Sequence, residues 1–147
     1  MGNPMPADPD GSSQLLQAFT RYLRARPTEV GSGFEGVTRG SSELGGVPAT
    51  TLEPQVGPPD RSVLYFHGGG YVSGSPPERY LPLAAAVALT ANALVHVVDY
   101  RLARETRFPC AFDDCLRAYS WLVEHGGADA ETFALLGDSV AATSRSP

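Results

Sequence analysis

Three short apolar segments alternate with two helix-like segments in the second half of the chain, and this alternation restricts the possible folds more than any other feature. The first apolar segment, Ser62–His67, has the β-branched and aromatic residues typical of strands. An alanine-rich segment that ends near Asn92 follows it. Strand, helix, strand, helix, strand is the order that gives a mostly parallel sheet with helices on both faces. We therefore predict an α/β fold, with further strands at Leu94–Tyr100 and Thr132–Leu136 and a second helix at Phe108–His125.

The sequence before this region has a different character. Residues 1–12 are rich in proline, glycine and aspartate and are predicted to be a disordered tail. Residues 13–45 are predicted to form an amphipathic helix followed by a loop with at most a weak edge strand near Phe34–Arg39. Val47–Glu53 is predicted as a short strand, and residues 46–147 as the core domain.

Charge and hydropathy narrow the classes of partner. The 11 basic and 16 acidic residues give a net charge of -5, which disfavours nucleic acid and anionic membranes because both require a basic surface. No segment approaches the roughly 20 apolar residues of a membrane span, and the N-terminus lacks the features of a signal peptide. A cytoplasmic protein with a small-molecule partner is therefore expected. The spacing of Cys110 and Cys115 suits neither a zinc site nor a redox pair, so we predict buried free thiols and no metal.

Three consecutive glycines follow the first predicted strand, in His67-Gly68-Gly69-Gly70. Because glycine has no Cβ, such a turn can direct several N–H groups into one space and allow close approach of a ligand. Donors arranged in this way can hold the oxyanion of a tetrahedral acyl intermediate. A flexible turn between strand and helix explains the same residues equally well. A phosphate site is disfavoured, since the spacing matches no phosphate-binding motif and the chain has no lysine.

A serine follows the third predicted strand, in Gly137-Asp138-Ser139-Val140-Ala141. A sharp turn from strand to helix would present its hydroxyl at the carboxyl edge of the sheet as a nucleophile. Ala141 stands at the last glycine position of the G-x-S-x-G pattern, so the match is approximate and can also arise by chance. Its position after an apolar strand, and downstream of the glycine turn, favours the nucleophile.

Two further motifs lie between the glycine turn and the serine: Asp99-Tyr100-Arg101-Leu102-Ala103 and the segment Phe108–Asp114. Together the four motifs resemble the hormone-sensitive-lipase-like family of α/β-hydrolases, the bacterial type IV carboxylesterases. The resemblance covers about Gly46 to Ser139 and depends on the motifs occurring in the same order.

The resemblance implies the N-terminal portion of an α/β-hydrolase fold and an acyl ester of short chain length as the small-molecule substrate. It implies neither a metal nor an organic cofactor, and it places the predicted N-terminal helix in a cap over the acyl pocket. It also implies the site residues, with Ser139 as the nucleophile and the N–H groups of Gly68, Gly69 and Val140 as the oxyanion hole.

The acid and the histidine of such a site are expected after the serine in the chain. The eight residues that follow Ser139 contain neither. We therefore predict a fold truncated just after the serine turn and little or no ester hydrolysis by the 147-residue chain. The alternative is a non-enzymatic remnant or binding module. Structural roles are predicted for the other candidate residues, namely His67, His96, His125, Asp99 and Asp138.

A change of reading frame after the Ser139 codon is our hypothesis for this ending. The absence of lysine and isoleucine indicates a GC-rich coding sequence. Back-translated with GC-rich codons and read two bases later, the last residues become Gly-Gly-Asn-Leu-Ala-Val-Ala, which resembles the continuation of the family motif.

Overall fold

The computed structural model describes residues 34–69, 80–125 and 131–138, which form five strands and two helices. In chain order these are β1 Val37–Leu44, β2 Val47–Pro54, β3 Arg61–Phe66, α1 Leu81–Ala91, β4 Ala93–Val98, α2 Cys110–His125 and β5 Phe133–Gly137. The predicted tail, the predicted N-terminal helix, Gly70, Ser139 and Val140 lie outside the described residues.

The strands form one sheet in the order β1-β2-β4-β3-β5. β3 lies between β4 and β5 and is parallel to both. β2 is antiparallel to β4 and to β1, so the sheet is mixed. The crossover through α1 moves one way across the sheet and the crossover through α2 moves the other way. Because such crossovers are right-handed, the two helices cover opposite faces, and the predicted α/β alternation is confirmed.

The structure differs from the sequence prediction at β1. The weak strand expected near Phe34–Arg39 is instead a strand from Val37 to Leu44 that pairs with β2 along its whole length. Gly45 and Gly46 join the two strands with φ values of 61° and 85°, which suit a two-residue hairpin turn. Pairing in this hairpin outweighs the low strand propensity of its glycine and serines.

The sheet has a hydrophobic core on each face. Side chains alternate along β3, so Val63 and Tyr65 belong to the core that includes α1, whereas Leu64 belongs to the core that includes α2. Seven of the 11 residues of α1 are buried. α2 buries a narrower stripe, Asp114, Ala118 and Leu122.

β5 lies at one edge of the described sheet, and all five of its residues are half-buried. Ala134 and Leu136 contact the core on the α1 side, and Phe133 and Leu135 contact the core on the α2 side. β5 therefore contributes side chains to the cores on both faces of the sheet, and these side chains remain partly exposed. Within the described part of the chain, neither helix is long and apolar enough to cross a bilayer.

Candidate active site

The parallel strands β3, β4 and β5 all end at the same edge of the sheet. Phe66 ends β3 and is the register partner of Gly137, which ends β5. One residue later, the backbone N–H of Asp138 donates to the carbonyl oxygen of Phe66, with a distance of 3.3 Å from N to O. This bond joins the residue before Ser139 to the residue before His67. The structure therefore brings the beginnings of the two predicted motifs together.

The glycine turn begins inside the protein and continues toward its surface. His67 is only 2% exposed, Gly68 is also buried, and Gly69 is half-buried. Gly69 has a φ of 124°, a conformation that residues with a Cβ rarely adopt. The backbone of this turn therefore requires glycine at position 69.

The His67 ring lies between two tyrosine rings. Its centroid is 4.9 Å from that of Tyr80 and 4.4 Å from that of Tyr100, with interplanar angles of 23° and 12°. His67 Nδ1 is 2.9 Å from the carbonyl oxygen of Gly68. Because a carbonyl can only accept, Nδ1 carries the proton in this bond. These contacts agree with the structural role predicted for His67.

Burial lowers the pKa of His67 from its ordinary value of 6.5. The hydrogen bond to Gly68 and the negative charges of Asp99 and Asp138 oppose this effect only in part. His67 is therefore neutral at pH 7, because its lowered pKa lies below 6.5.

Two tyrosine hydroxyls bind the backbone of the turn. Tyr100 donates to the carbonyl oxygen of His67, and Tyr80 donates to that of Gly68 at 2.9 Å. Tyr80 directly precedes α1, and the N–H of Ala84 donates to the Tyr80 carbonyl at 3.1 Å. The turn is thus held from the start of α1 and from the end of β4. The sequence motifs gave no indication of the Tyr80 contact.

A buried carboxylate fixes the segment that follows β4. Asp114 accepts three hydrogen bonds from Arg101, from the backbone N–H at 3.1 Å, from Nε at 2.8 Å and from Nη2 at 2.7 Å. Arg117 also contacts this carboxylate, at 3.3 Å. The hydrogen bonds from Arg101 are the main reason that the pKa of Asp114 lies below its ordinary value. The available sequence signal was the spacing of Asp114 from Ala118 and Leu122, four and eight residues, which puts all three on the buried face of α2.

The contacts of the other two histidines, His96 and His125, agree with the structural roles predicted for them. His96 is buried within β4 at 7% exposure, and its Nδ1 has no hydrogen-bond partner among the described residues. Burial lowers the pKa of His96. His125 ends α2, where its ring stacks on Trp121 at 5.1 Å and its Nδ1 is 3.2 Å from the Trp121 carbonyl oxygen.

Cys110 and Cys115 are both free, in agreement with the prediction, but each is half-buried rather than fully buried. Burial, together with the charge of Asp114, raises the pKa of Cys115 to about 12. This thiol is therefore protonated at neutral pH and a poor nucleophile.

A family model described as an alpha/beta hydrolase fold matches residues 63–143, which are more than half of the chain. The chain belongs to the α/β-hydrolase family. The matched segment of this α/β-hydrolase contains both the glycine turn and Ser139.

Curated relatives of this α/β-hydrolase carry esterase names. The ethyl acetate hydrolase of Pseudomonas putida is 48% identical over 82 residues, which are 54% of this chain and 26% of the relative. Esterase LipI of Mycobacterium tuberculosis is 44% identical over 84 residues, which are 55% of this chain and 26% of the relative. The match therefore spans about a quarter of the length of these two relatives.

Solved structures of a hormone-sensitive lipase and of an esterase are similar to this α/β-hydrolase. A hormone-sensitive lipase from a metagenome library has a TM-score of 0.65 and 32% identity, over 98% of this chain and 44% of that chain. A mutant of the esterase E40 has a TM-score of 0.63 and 37% identity, over 75% of this chain and 36% of that chain. The predicted hormone-sensitive-lipase-like fold is confirmed.

Proposed function

We propose that this α/β-hydrolase derives from a serine hydrolase of carboxylic esters in which Ser139 is the nucleophile. The observation that carries the proposal is the hydrogen bond from the Asp138 N–H to the Phe66 carbonyl. Phe66 and Gly137 are register partners at the ends of their strands, and Gly68 and Ser139 each follow two residues later in the sequence. A sharp turn after β5 would present the serine hydroxyl beside the glycine turn.

In the proposed reaction, the Ser139 hydroxyl oxygen attacks the ester carbonyl carbon and the carbonyl oxygen becomes an oxyanion. The backbone N–H groups of Gly68, Gly69 and Val140 donate to this oxyanion, and each such donor contributes about 10²–10³ to the rate. Collapse of the intermediate releases the alcohol and leaves an acyl group on Ser139, which water then removes.

A general base must take the Ser139 proton and return it to the leaving alcohol. The described histidines are poorly suited to this task. His67 donates through Nδ1 to Gly68 between two tyrosine rings, His96 lies within β4 and His125 ends α2. We therefore propose that the base and its acidic partner are not among these 147 residues. A polypeptide of this sequence is expected to keep only the roughly 10³–10⁴-fold residual acceleration of hydrolases that lack a triad.

The proposed substrate is a small-molecule ester with a short acyl chain. The name of the Pseudomonas putida relative, ethyl acetate hydrolase, supports this choice, because that protein is 48% identical over the matched segment.

The DNA that follows the Ser139 codon provides the first test. A downstream frame that encodes the acid and histidine of the family would supply the missing base. A genuine stop with no such region would favour the non-enzymatic alternative.

Hydrolysis of p-nitrophenyl butyrate provides the second test, in the 147-residue chain and in the longer protein that a restored frame encodes. The longer protein should hydrolyse the ester and react with a fluorophosphonate, and Ser139→Ala should abolish both activities. Ser41→Ala is the matched control, since Ser41 is exposed on β1. If the 147-residue chain hydrolyses the ester rapidly and Ser139→Ala abolishes this activity, the proposal that the chain lacks the general base is contradicted. Hydrolysis by the longer protein that survives Ser139→Ala would contradict the assigned nucleophile.

A further inference from the structure

Two tyrosines from different parts of the fold bind consecutive carbonyl groups of the glycine turn. Tyr100, two residues after β4, donates to the His67 carbonyl. Tyr80, one residue before α1, donates to the Gly68 carbonyl at 2.9 Å. The two hydroxyls therefore bind the His67–Gly68 peptide group and the Gly68–Gly69 peptide group, respectively.

Each of these peptide groups is trans, and in a trans peptide group the C=O and the N–H point in opposite directions from one rigid plane. A hydroxyl that fixes the His67 carbonyl therefore fixes the direction of the Gly68 N–H. In the same way, a hydroxyl that fixes the Gly68 carbonyl fixes the direction of the Gly69 N–H.

We propose that Tyr100 and Tyr80 are positioning residues of the oxyanion hole, with Tyr100 orienting the Gly68 N–H and Tyr80 orienting the Gly69 N–H. This inference rests on the proposed function, in which those two N–H groups bind the oxyanion. Neither tyrosine touches the reacting atoms in this proposal.

The contacts are strong enough for this role. The Gly68 carbonyl accepts from both Tyr80 and His67 Nδ1, each at 2.9 Å, which uses both lone pairs of that oxygen. His67 and Gly68 are buried, and in a low-dielectric interior such hydrogen bonds are stronger than in water. The stacked rings of Tyr80, His67 and Tyr100 leave each hydroxyl little freedom to move.

The backbone on each side of Tyr100 is anchored as well. The N–H of Asp99 donates to the Pro48 carbonyl at 2.9 Å, which ties one side to β2. On the other side, the N–H of Arg101 donates to the buried carboxylate of Asp114 at 3.1 Å. Asp114 on α2 therefore supports Tyr100, and Tyr100 supports the Gly68 peptide group.

Orientation matters because donors that already point at the developing charge need no reorganisation during the reaction. A misplacement of about 1 Å can cost a hundredfold in rate. Tyrosine-to-phenylalanine substitutions isolate this effect, since they keep the ring stack and remove only the hydroxyl.

Backbone ¹⁵N relaxation of the 147-residue chain tests the inference in the wild type, Tyr100→Phe and Tyr80→Phe. In the wild type both glycine N–H groups should have order parameters near 0.85, the value of rigid backbone. Tyr100→Phe should lower the value of Gly68 below about 0.6, with a smaller change at Gly69. Tyr80→Phe should lower the value of Gly69 more than that of Gly68, but by less than Tyr100→Phe lowers the value of Gly68, because His67 Nδ1 still donates to the Gly68 carbonyl. Tyr119→Phe is the matched control, since the exposed Tyr119 ring contacts Phe133 away from the turn, and it should change neither glycine.

Equal changes at both glycines, or no change in either variant, would overturn the inference. If Tyr100→Phe does not fold, Asp114→Asn replaces it, because that change loosens the Tyr100 segment from α2. A larger loss of order at Gly68 than at Gly69 then supports the inference, and equal losses overturn it. The relaxation pattern does not depend on ester hydrolysis. The predicted relaxation pattern together with a failure of Ser139 as nucleophile would refute the function and with it the oxyanion role, but not the orientation of the two N–H groups by the tyrosines. The converse result would refute only the positioning role.

Discussion

β3 and β5 end side by side at the same edge of the sheet, but they are supported very differently. β3 pairs on both sides, and its central residues Val63, Leu64 and Tyr65 are at most 1% exposed. Among the described residues, β5 pairs only with β3 and is half-buried throughout. The turn after β3 is held by two tyrosine hydroxyls and a stacked histidine. Asp138, the one described residue after β5, donates its N–H to the Phe66 carbonyl.

The candidate site has two sides: the glycine turn after β3, which would bind the oxyanion, and the segment after β5, which would carry the nucleophile. The comparison indicates that the two sides are stabilised by different contacts. The glycine turn, which is the proposed oxyanion side of the site, is held by Tyr80 and Tyr100, which come from different parts of the sequence. The nucleophile side follows β5, whose apolar residues are only half-buried. The neighbouring helix α2 also has exposed apolar side chains. On α2 these are Phe112, Leu116, Tyr119 and Val123, spaced along one flank.

The largest expected effect comes from truncating a leucine in each of the two strands. Leu64 in β3 and Leu135 in β5 are register partners and contact the same core. Leu64 is fully buried, so Leu64→Ala should lower the free energy of unfolding by about 2–5 kcal/mol. Leu135→Ala should cost less than half as much, because Leu135 is only half-buried. Urea denaturation measures both, and equal losses would show that β5 is as well supported as β3.

The second effect concerns Asp114 on α2, whose carboxylate binds Arg101 and so holds the segment that carries Tyr100. Asp114→Asn removes the negative charge that accepts from Arg101, and hydrogen bonds to charged groups contribute about 1.5–3 kcal/mol. We expect a loss of stability in this range by thermal or urea unfolding. The neighbouring Asp113→Asn is the matched control, since Asp113 is exposed in the first turn of α2. A loss in Asp113→Asn as large as that in Asp114→Asn would contradict the role assigned to the buried carboxylate.

The smallest effect is a pH dependence in the sheet next to β3. His96 is the register partner of Leu64 in β4, and its pKa is lowered from 6.5 by burial. The unfolded chain therefore binds a proton at a higher pH than the folded chain does, so this contribution to stability is full above pH 6.5 and is lost as the pH falls toward the folded pKa. His67 adds a change of the same sign.

His96→Leu should make the dependence of unfolding free energy on pH shallower below pH 6.5. Urea denaturation at a series of pH values measures the slope. A steeper or unchanged slope in this variant would show that His96 is not held neutral by the fold.

The parts of the fold that depend on periodicity could be predicted from the sequence, and the parts that depend on long-range contacts could not. Apolar runs located β3, β4 and β5 to within a few residues, because buried parallel strands need such runs. β1 was predicted only as a weak edge strand near Phe34–Arg39, because a hairpin turn at Gly45-Gly46, rather than its own composition, makes the whole of Val37–Leu44 a strand.

The site shows the same division. The sequence motifs indicated Gly68, Gly69 and Ser139 as candidates, because glycine and serine at those positions have a distinctive chemistry. Tyr80 could not be found in this way, since its hydroxyl reaches a carbonyl 12 residues away only after α1 packs on the sheet. Asp113 and Asp114 are adjacent acids in the sequence, and the spacing of Asp114 from Ala118 and Leu122 indicates which of them is buried, but the hydrogen bonds from Arg101 to Asp114 depend on the packing of α2.

The distances from the Ser139 hydroxyl oxygen to the backbone nitrogens of Gly68 and Gly69, measured in a crystal structure, test the central claim most directly. A reacting atom should lie about 3 Å from both the nucleophile and the oxyanion donors. The account therefore predicts that Ser139 Oγ lies within roughly 6 Å of each nitrogen. A separation beyond roughly 10 Å, too far for one reacting carbonyl to reach both groups, would contradict it.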